Sequence, residues 1–313
     1  MTGLDSDVAA LLDSMQASGA PPLWSLSIAD ARQQLAAATA QLSPEAPLVA
    51  SEDLTIAGGG AEVAIRIYRP DRNVKGPMVL LIHGGGWAMG SIETHDAIAR
   101  TIASGADATV VSVEYRLAPE HPFPAGFNDC IAALAWCEAQ CLSGQSLVVM
   151  GDSAGANLAA ALTLHVRDNH GPRIDAQILI YPCVDFTTSA PYVSRKQYGG
   201  GEYFLGQQDL DWLRGMYLTD AAETRNPFVS PMLAESLGGL PQALIVTAGH
   251  DLLCGEAQAY HRRLSEAGVP SRNLHFGGAI HGFLSFAGAL ASGRDALART
   301  IDWLCAIPAR SAD

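Results

Sequence analysis

The chain is short of charge, and of positive charge most of all. Charged residues make up 16% of its 313 positions, and 19 Lys and Arg stand against 32 Asp and Glu, a formal net charge of −13. That balance argues against partners that demand a basic patch, such as nucleic acid or an anionic membrane surface. The two local basic pairs, Arg195-Lys196 and Arg262-Arg263, read as solvated surface. No apolar run is long enough to span a bilayer. The stretch Met1-Thr2-Gly3-Leu4-Asp5-Ser6-Asp7 lacks the positive and apolar regions of a signal peptide. Six cysteines (Cys130, Cys137, Cys141, Cys183, Cys254 and Cys305) include no C-x-x-C pair, so no metal site is expected. Cys137 and Cys141, four apart on an expected helix, read as packing. Taken as reduced thiols, the six point to a cytoplasmic protein. There are no repeats and no low-complexity tracts. What the chain does have is apolar residues, 49% of the total, enough for the core of one large α/β domain.

The rest is organised around Gly151-Asp152-Ser153-Ala154-Gly155. The apolar run Ser146 to Met150 before it reads as a buried strand, and the Ala/Leu-rich run Ala156 to Leu164 after it as a helix. Gly-x-Ser-x-Gly also arises in Gly/Ser-rich loops. On a strand-turn-helix it is a nucleophile elbow, with Ser153 pushed out at the strand end in a strained conformation. The helix N-terminus beside it favours developing negative charge.

Residues 1–45 are helical in pattern, with Val8 to Leu12 and Ile28 to Leu42 separated by Pro21-Pro22. They precede the first strand signals, so they are expected to pack over the domain. Glu52 to Ala57 and Glu62 to Arg69, joined by Gly58-Gly59-Gly60, read as a hairpin. Strand signals follow at Met78 to Ile82, Thr109 to Val113, Gln177 to Tyr181, Ala243 to Ala248 and Asn273 to Phe276. Helix signals lie at Gly126 to Gln140, Gly255 to Ala267 and Gly293 to Ala306. This alternation implies a mostly parallel central sheet covered by helices on both faces. The rhythm breaks between about 185 and 240, where Tyr192, Tyr198, Tyr203, Phe204 and Trp212 gather around an expected helix Gln207 to Tyr217. This segment is read as an insertion that joins helices 1–45 in a helical cap over a catalytic domain of residues 46–313.

A serine hydroxyl needs a base, and the base needs an orienting acid. Loops at strand ends carry such groups in open α/β sheets. His281, in Gly278-Ala279-Ile280-His281-Gly282-Phe283, directly follows the last strand and is the candidate base; His275 and His250 are weaker. Asp251 ends the preceding strand and is the favoured acid, with Glu256 inside the next helix as its rival. The tetrahedral intermediate needs N–H donors for its oxyanion. His83-Gly84-Gly85-Gly86-Trp87 follows a buried strand and offers them, partnered by the N–H of Ala154. The run lacks the Lys-Ser/Thr ending of a P-loop and the G-x-G-x-x-G spacing of a dinucleotide fold.

Together these motifs resemble the bacterial hormone-sensitive-lipase family of carboxylesterases, within the α/β-hydrolase fold. The likeness runs from Glu52 onward and is carried by five marks in order: His83-Gly84-Gly85-Gly86-Trp87, Tyr115-Arg116-Leu117-Ala118-Pro119-Glu120, Gly151-Asp152-Ser153-Ala154-Gly155, Ser230-Pro231-Met232 and His281-Gly282-Phe283. The resemblance implies Ser153 as nucleophile, Asp251 as acid and His281 as base. It implies an oxyanion hole from Gly85, Gly86 and Ala154, with Gly84 as the bend. It also implies a cap, a small-molecule ester of short-to-medium acyl length as substrate, no cofactor or metal, and a possible homodimer. Trp87, Asp152, Tyr203 and Phe204 are the expected pocket residues, with Trp212 in the lid; cap packing is the plainer role for the aromatic ones. One run departs from the family's Asp-Pro-Leu-x-Asp-Glu: here it is Asp251-Leu252-Leu253-Cys254-Gly255-Glu256, whose missing proline should loosen the turn after the acid. An amidase, a lactonase or an arylformamidase could use the same residues, and a receptor that reuses the fold without turnover is the non-enzymatic alternative.

Overall fold

A computed structural model describes residues 3–70, 76–187 and 192–310. Residues 188–191 of the expected insertion, and Met1 and Thr2 at the chain start, lie outside the described residues. Among the described residues the chain forms eight strands in one sheet and nine α-helices. The strands are β1 (Ala50–Ala57), β2 (Glu62–Arg69), β3 (Met78–Ile82), β4 (Thr109–Glu114), β5 (Leu147–Asp152), β6 (Ala176–Ile180), β7 (Gln242–His250) and β8 (Ser271–Ile280). The helices are α1 (Ser6–Ala17), α2 (Ile28–Leu42), α3 (Ile92–Gly105), α4 (Ala125–Gln140), α5 (Ala154–Asp168), α6 (Val193–Tyr198), α7 (Gln207–Tyr217), α8 (Cys254–Glu266) and α9 (Ala291–Cys305). Spatial order in the sheet is β1-β2-β4-β3-β5-β6-β7-β8. β2 pairs antiparallel with β1 and with β4, and every pairing from β4 to β8 is parallel.

The pleat sorts the apolar runs into two cores. Met78, Leu80 and Ile82 of β3 point to one face and Val79 and Leu81 to the other. Leu147 and Val149 of β5 share the first face; Val148 and Met150 share the second. Alternate side chains of a strand leave opposite faces, so an all-apolar run feeds both layers at once. The helices with side chains in the first core include α4, α5 and α8, and those in the second include α1, α3 and α9.

α5 follows the central strand β5 and is buried along nearly its whole length. Its first turn is alanine, glycine and alanine, which allows a very close approach to the sheet. At Gly155 a methyl group would collide with the carbonyl oxygens of Ile82 and His83 at the end of β3. That contact brings the start of α5 against the glycine-rich loop after β3.

Two helices lie outside the sequence expectations. α3 is capped by Ser91, whose Oγ accepts from the Thr94 N–H while Thr94 Oγ1 accepts from the Ser91 N–H. It buries Ile92, His95, Ile98, Ala99, Ile102 and Ala103 along one face. α6 is only six residues long.

The N-terminal segment lies against several parts of the chain. The Asp5 N–H donates to Gly278 O of β8 at 3.1 Å, and Asp7 accepts from the Ala291 N–H at 2.8 Å. The Trp24 N–H donates to Asp209 of α7 at 3.2 Å. From α2, Arg32 donates to the carbonyls of Ala88 and Ala118 and forms a forked pair with Glu120.

Gly155→Ala should cost at least about 3 kcal/mol, because backbone lies on both sides of the new methyl and neither side can retreat. The midpoint of urea unfolding measures it; a midpoint within error of the parent would show that the sheet and α5 can part.

Candidate active site

The turn that presents Ser153 forms between β5 and α5, and it is strained. Ser153 has φ 52° and ψ −116°, a region that L-residues avoid. Its N–H is held by Ile180 O at 2.8 Å, so the neighbouring strand pins the turn. Two loops at the C-terminal edge of the sheet come to meet it. His281, next after β8, lies with Nε2 2.8 Å from Ser153 Oγ. Asp251, next after β7, lies with Oδ2 2.8 Å from His281 Nδ1. The carboxylate accepts from Nδ1–H, which leaves Nε2 to accept the serine proton. The Tyr181 ring packs on the imidazole with centroids 4.7 Å apart.

The turn after Asp251 is closed despite its missing proline. Asp251 Oδ1 accepts from the Leu253 N–H at 2.9 Å, Asp251 O accepts from the Cys254 N–H at 3.0 Å, and the Gly255 N–H donates to Ser194 Oγ of α6 at 3.0 Å. Glu256 is committed elsewhere. One oxygen accepts from the N–H groups of Val184 and Asp185, the other from Arg195. Burial pushes its carboxyl up to about 7 against the pull of Arg195 and those N–H groups. It holds the loop after β6 and makes no bond to His281 among the described residues. His275 bonds Thr247, and His250 packs between the rings of Tyr198 and Tyr203.

The glycine loop after β3 carries the remaining candidates. Gly85 and Gly86 have φ of 118° and 62°, where a side chain would be strained. Gly85 O closes the loop by accepting from the Met89 N–H at 2.8 Å. The Gly84 N–H is used by Asp152 at 2.9 Å. Among the described residues no group accepts from the N–H of Gly85, Gly86 or Ala154. Three donors thus stand free on the two segments that meet next to Ser153, where Gly155 packs against the start of the glycine loop, and a carbonyl oxygen that gained charge there would find partners.

Two expected pocket residues are used otherwise. Asp152 puts its carboxylate on the Gly84 N–H, on His95 Nε2 at 2.9 Å and near Tyr181 Oη at 3.4 Å, so it braces the loop from within. Burial would raise its pKa, but His95 and the Gly84 N–H outweigh that and hold it below the usual carboxylate range. Trp87 is 2% exposed, with its ring stacked on Tyr217 at 4.9 Å and its Nε1–H on Asn157 Oδ1 at 3.3 Å. Its φ of 61° turns it into the core. Tyr203 packs on Tyr198 and His250. Phe204 is 38% exposed and meets Phe286 edge-on at 5.3 Å, beside Gly282. Trp212 is half-buried against the first core.

A profile of the alpha/beta hydrolase fold family matches residues 79–285. The chain belongs to the alpha/beta hydrolase family. This hydrolase is 37% identical over 258 residues to an arylesterase of Saccharolobus solfataricus, covering 81% of this chain and 83% of that one. It is 41% identical over 244 residues to carboxylic ester hydrolase LipN of Mycobacterium tuberculosis, covering 74% of this chain and 64% of LipN. A hyperthermophilic esterase from the archaeon Pyrobaculum calidifontis superposes with a TM-score of 0.92 at 35% identity, over 97% of this chain and 98% of that one.

Several residues of the hydrolase site carried no motif: His95, Asn157, Tyr181 and Arg195. The spacing of Ile92, His95, Ile98, Ala99 and Ile102 was the available signal for the first.

His83, which opens the loop, yields a pH prediction. Burial, and then neighbouring His95, hold its pKa down at about 3, against an ordinary 6.5. Between those values the unfolded chain takes up a proton that the folded chain refuses, so stability is lost as pH falls from about 6.5 toward about 3. His83→Asn keeps a donor near Nδ1 and removes the titration. Its stability, from urea unfolding at pH 6.5, 5.5 and 4.5, should fall less steeply than the parent's, by up to about 1.4 kcal/mol per pH unit. Parallel slopes would mean that folded His83 does take the proton.

Proposed function

We propose that this chain is a serine carboxylesterase in which Ser153 is the nucleophile, His281 the base and Asp251 the orienting acid. The observation that carries the reading is the continuous chain from Asp251 through His281 to Ser153 Oγ, both links 2.8 Å, beside three unused N–H groups. Its relatives named arylesterase and carboxylic ester hydrolase support the reaction class. No observation favours the amidase, lactonase or arylformamidase alternatives. His281 takes the Ser153 proton as Oγ attacks the ester carbonyl, and Asp251 steadies the imidazolium. Gly85, Gly86 and Ala154 donate to the oxyanion. The imidazolium then protonates the departing alcohol, leaving an acyl-enzyme. Water repeats the cycle and releases the acid.

In this reading α1, α2 and the segment 185–240 form a cap over a catalytic domain of residues 46–313. Three contacts support it: Trp24 with Asp209, Leu213 of α7 against Gly86, and Tyr203-Phe204 lying over His250 and Gly282. Phe204 is then the best-placed pocket residue, partly open and next to the loop of His281. Short-to-medium acyl esters are the proposed substrates. The cysteines among the described residues are free and mostly buried, which supports a reducing, cytoplasmic setting. No helix of the described residues is long and apolar enough to cross a membrane. A homodimer rests on family resemblance, and sedimentation velocity would decide it.

Ser153→Ala should lower kcat on p-nitrophenyl esters by roughly 10⁴-fold or more, with unchanged urea unfolding. Substantial turnover in that variant would sink the assignment. Across esters of increasing acyl length the parent should lose activity as chains outgrow the pocket. Phe204→Ala should move that limit to longer chains, whereas an unmoved limit would take Phe204 out of the pocket.

A further inference from the structure

We infer that His95 is a positioning residue for the Gly85 oxyanion donor, acting through Asp152 on the peptide of Gly84. The inference rests on the reading of Ser153, Gly85 and Gly86 above.

The Gly84 peptide groups are fastened on both sides. Its N–H donates to Asp152 Oδ1 at 2.9 Å, and its carbonyl accepts from His83 Nδ1–H at 2.8 Å. Next along the chain are Gly85 and Gly86, whose N–H groups have no acceptor among the described residues. The Gly86 N–H shares its peptide plane with Gly85 O, which the Met89 N–H holds, so the donor whose direction is set upstream, by the orientation of Gly84, is the Gly85 N–H. That orientation is only as firm as the Asp152 carboxylate, which is buried. Asp152 precedes the nucleophile directly, so its backbone is fixed by β5 and the strained turn. Its side-chain rotamer is fixed by what it bonds.

His95 supplies that bond. Its Nε2 lies 2.9 Å from Asp152 Oδ1, the same oxygen that holds Gly84. An ionised carboxylate only accepts, so Nε2 carries the proton and donates. Its Nδ1 lies 2.9 Å from Thr94 Oγ1, and Thr94 is the third residue of the helix cap that starts α3. The imidazole is thus held at both nitrogens and is itself buried. Tyr181 Oη at 3.4 Å is the remaining group beside the carboxylate. Without His95 the buried carboxylate keeps one short partner, the loop it is meant to hold.

Oxyanion donors count only when the carbonyl oxygen becomes tetrahedral and charged, so slackening them lowers kcat and leaves ground-state binding alone. Loss of one such donor costs about 10²- to 10³-fold, and tilting one by a small angle costs less. His95→Leu should therefore lower kcat on p-nitrophenyl acetate roughly ten- to hundredfold, with KM within about threefold of the parent. Affinity for a trifluoromethyl ketone, which binds as a charged tetrahedral adduct, should fall by a similar factor. Gln can place an N–H near the position of Nε2, so His95→Gln should keep kcat within about threefold and separate the donor from bulk packing. Three outcomes would overturn the inference: parental kcat in His95→Leu, a loss in KM instead of kcat, or a His95→Gln variant as slow as His95→Leu. An unfolded His95→Leu passes the decision to His95→Gln, whose kcat and ketone affinity must both match the parent. The underlying reading fails separately, through turnover in Ser153→Ala.

Discussion

Everything at this site depends on how near two pieces of backbone can come. β3 and β5 are neighbours in the sheet, and α5 springs from the end of β5 straight back across the end of β3. Only a helix whose second residue lacks a side chain can take that path. The close approach sets the N-terminus of α5 beside the start of the glycine loop, and the N–H groups of Ala154, Gly85 and Gly86 have no acceptor among the described residues. It also forces the compressed turn in which Ser153 must stand clear of its strand. One steric fact therefore yields the turn that presents Ser153 and its approach to the glycine loop, and the cost of the strained Ser153 dihedrals is carried by the cooperative packing of the two cores.

The electrostatics follow the same economy. Two carboxylates with different neighbours do different jobs here, one preceding Ser153 in the chain and one bonded to His281. The Asp251 carboxylate meets His281 and the Leu253 N–H of its own turn. Asp152 meets His95 and the Gly84 N–H. A third, Glu256, is drawn off by Arg195 and by the backbone after β6. Burial alone would push Asp152 and Glu256 toward the neutral form; the donors each one finds decide whether it resists.

Much of the arrangement was legible in the sequence. The parallel sheet announced itself through short apolar runs that cannot be helices and that feed two cores. The strand-end positions of Ser153, Asp251 and His281 were readable because the apolar runs before them stop and the chain must turn there. Legibility ended where partners are chosen by topology. His95 meets Asp152 across 57 residues and Trp87 meets Asn157 across 70, and neither separation leaves a local pattern. α3 stayed hidden because its capping box ends in Thr94 instead of Glu or Gln. Trp87 misled because an aromatic beside a glycine loop suggests a pocket wall, while its positive φ swings the ring inward onto Tyr217. Asp152 misled by its place next to the nucleophile, since a side chain one residue away on a strand leaves by the other face.

The bond from the Asp5 N–H to Gly278 O bears on a different matter. β8 is one of the two outer strands of the sheet, and an unpaired outer strand is a template for another chain. Near its C-terminal end, two residues before the strand stops, the outward carbonyl is already taken by the segment that leads into α1. The part of the edge that delivers His281 is thereby closed to foreign strands. Strand-to-strand association that leaves this bond in place is confined to the first residues of β8, and pairing along the rest of the edge has to peel away the chain's own N-terminal segment.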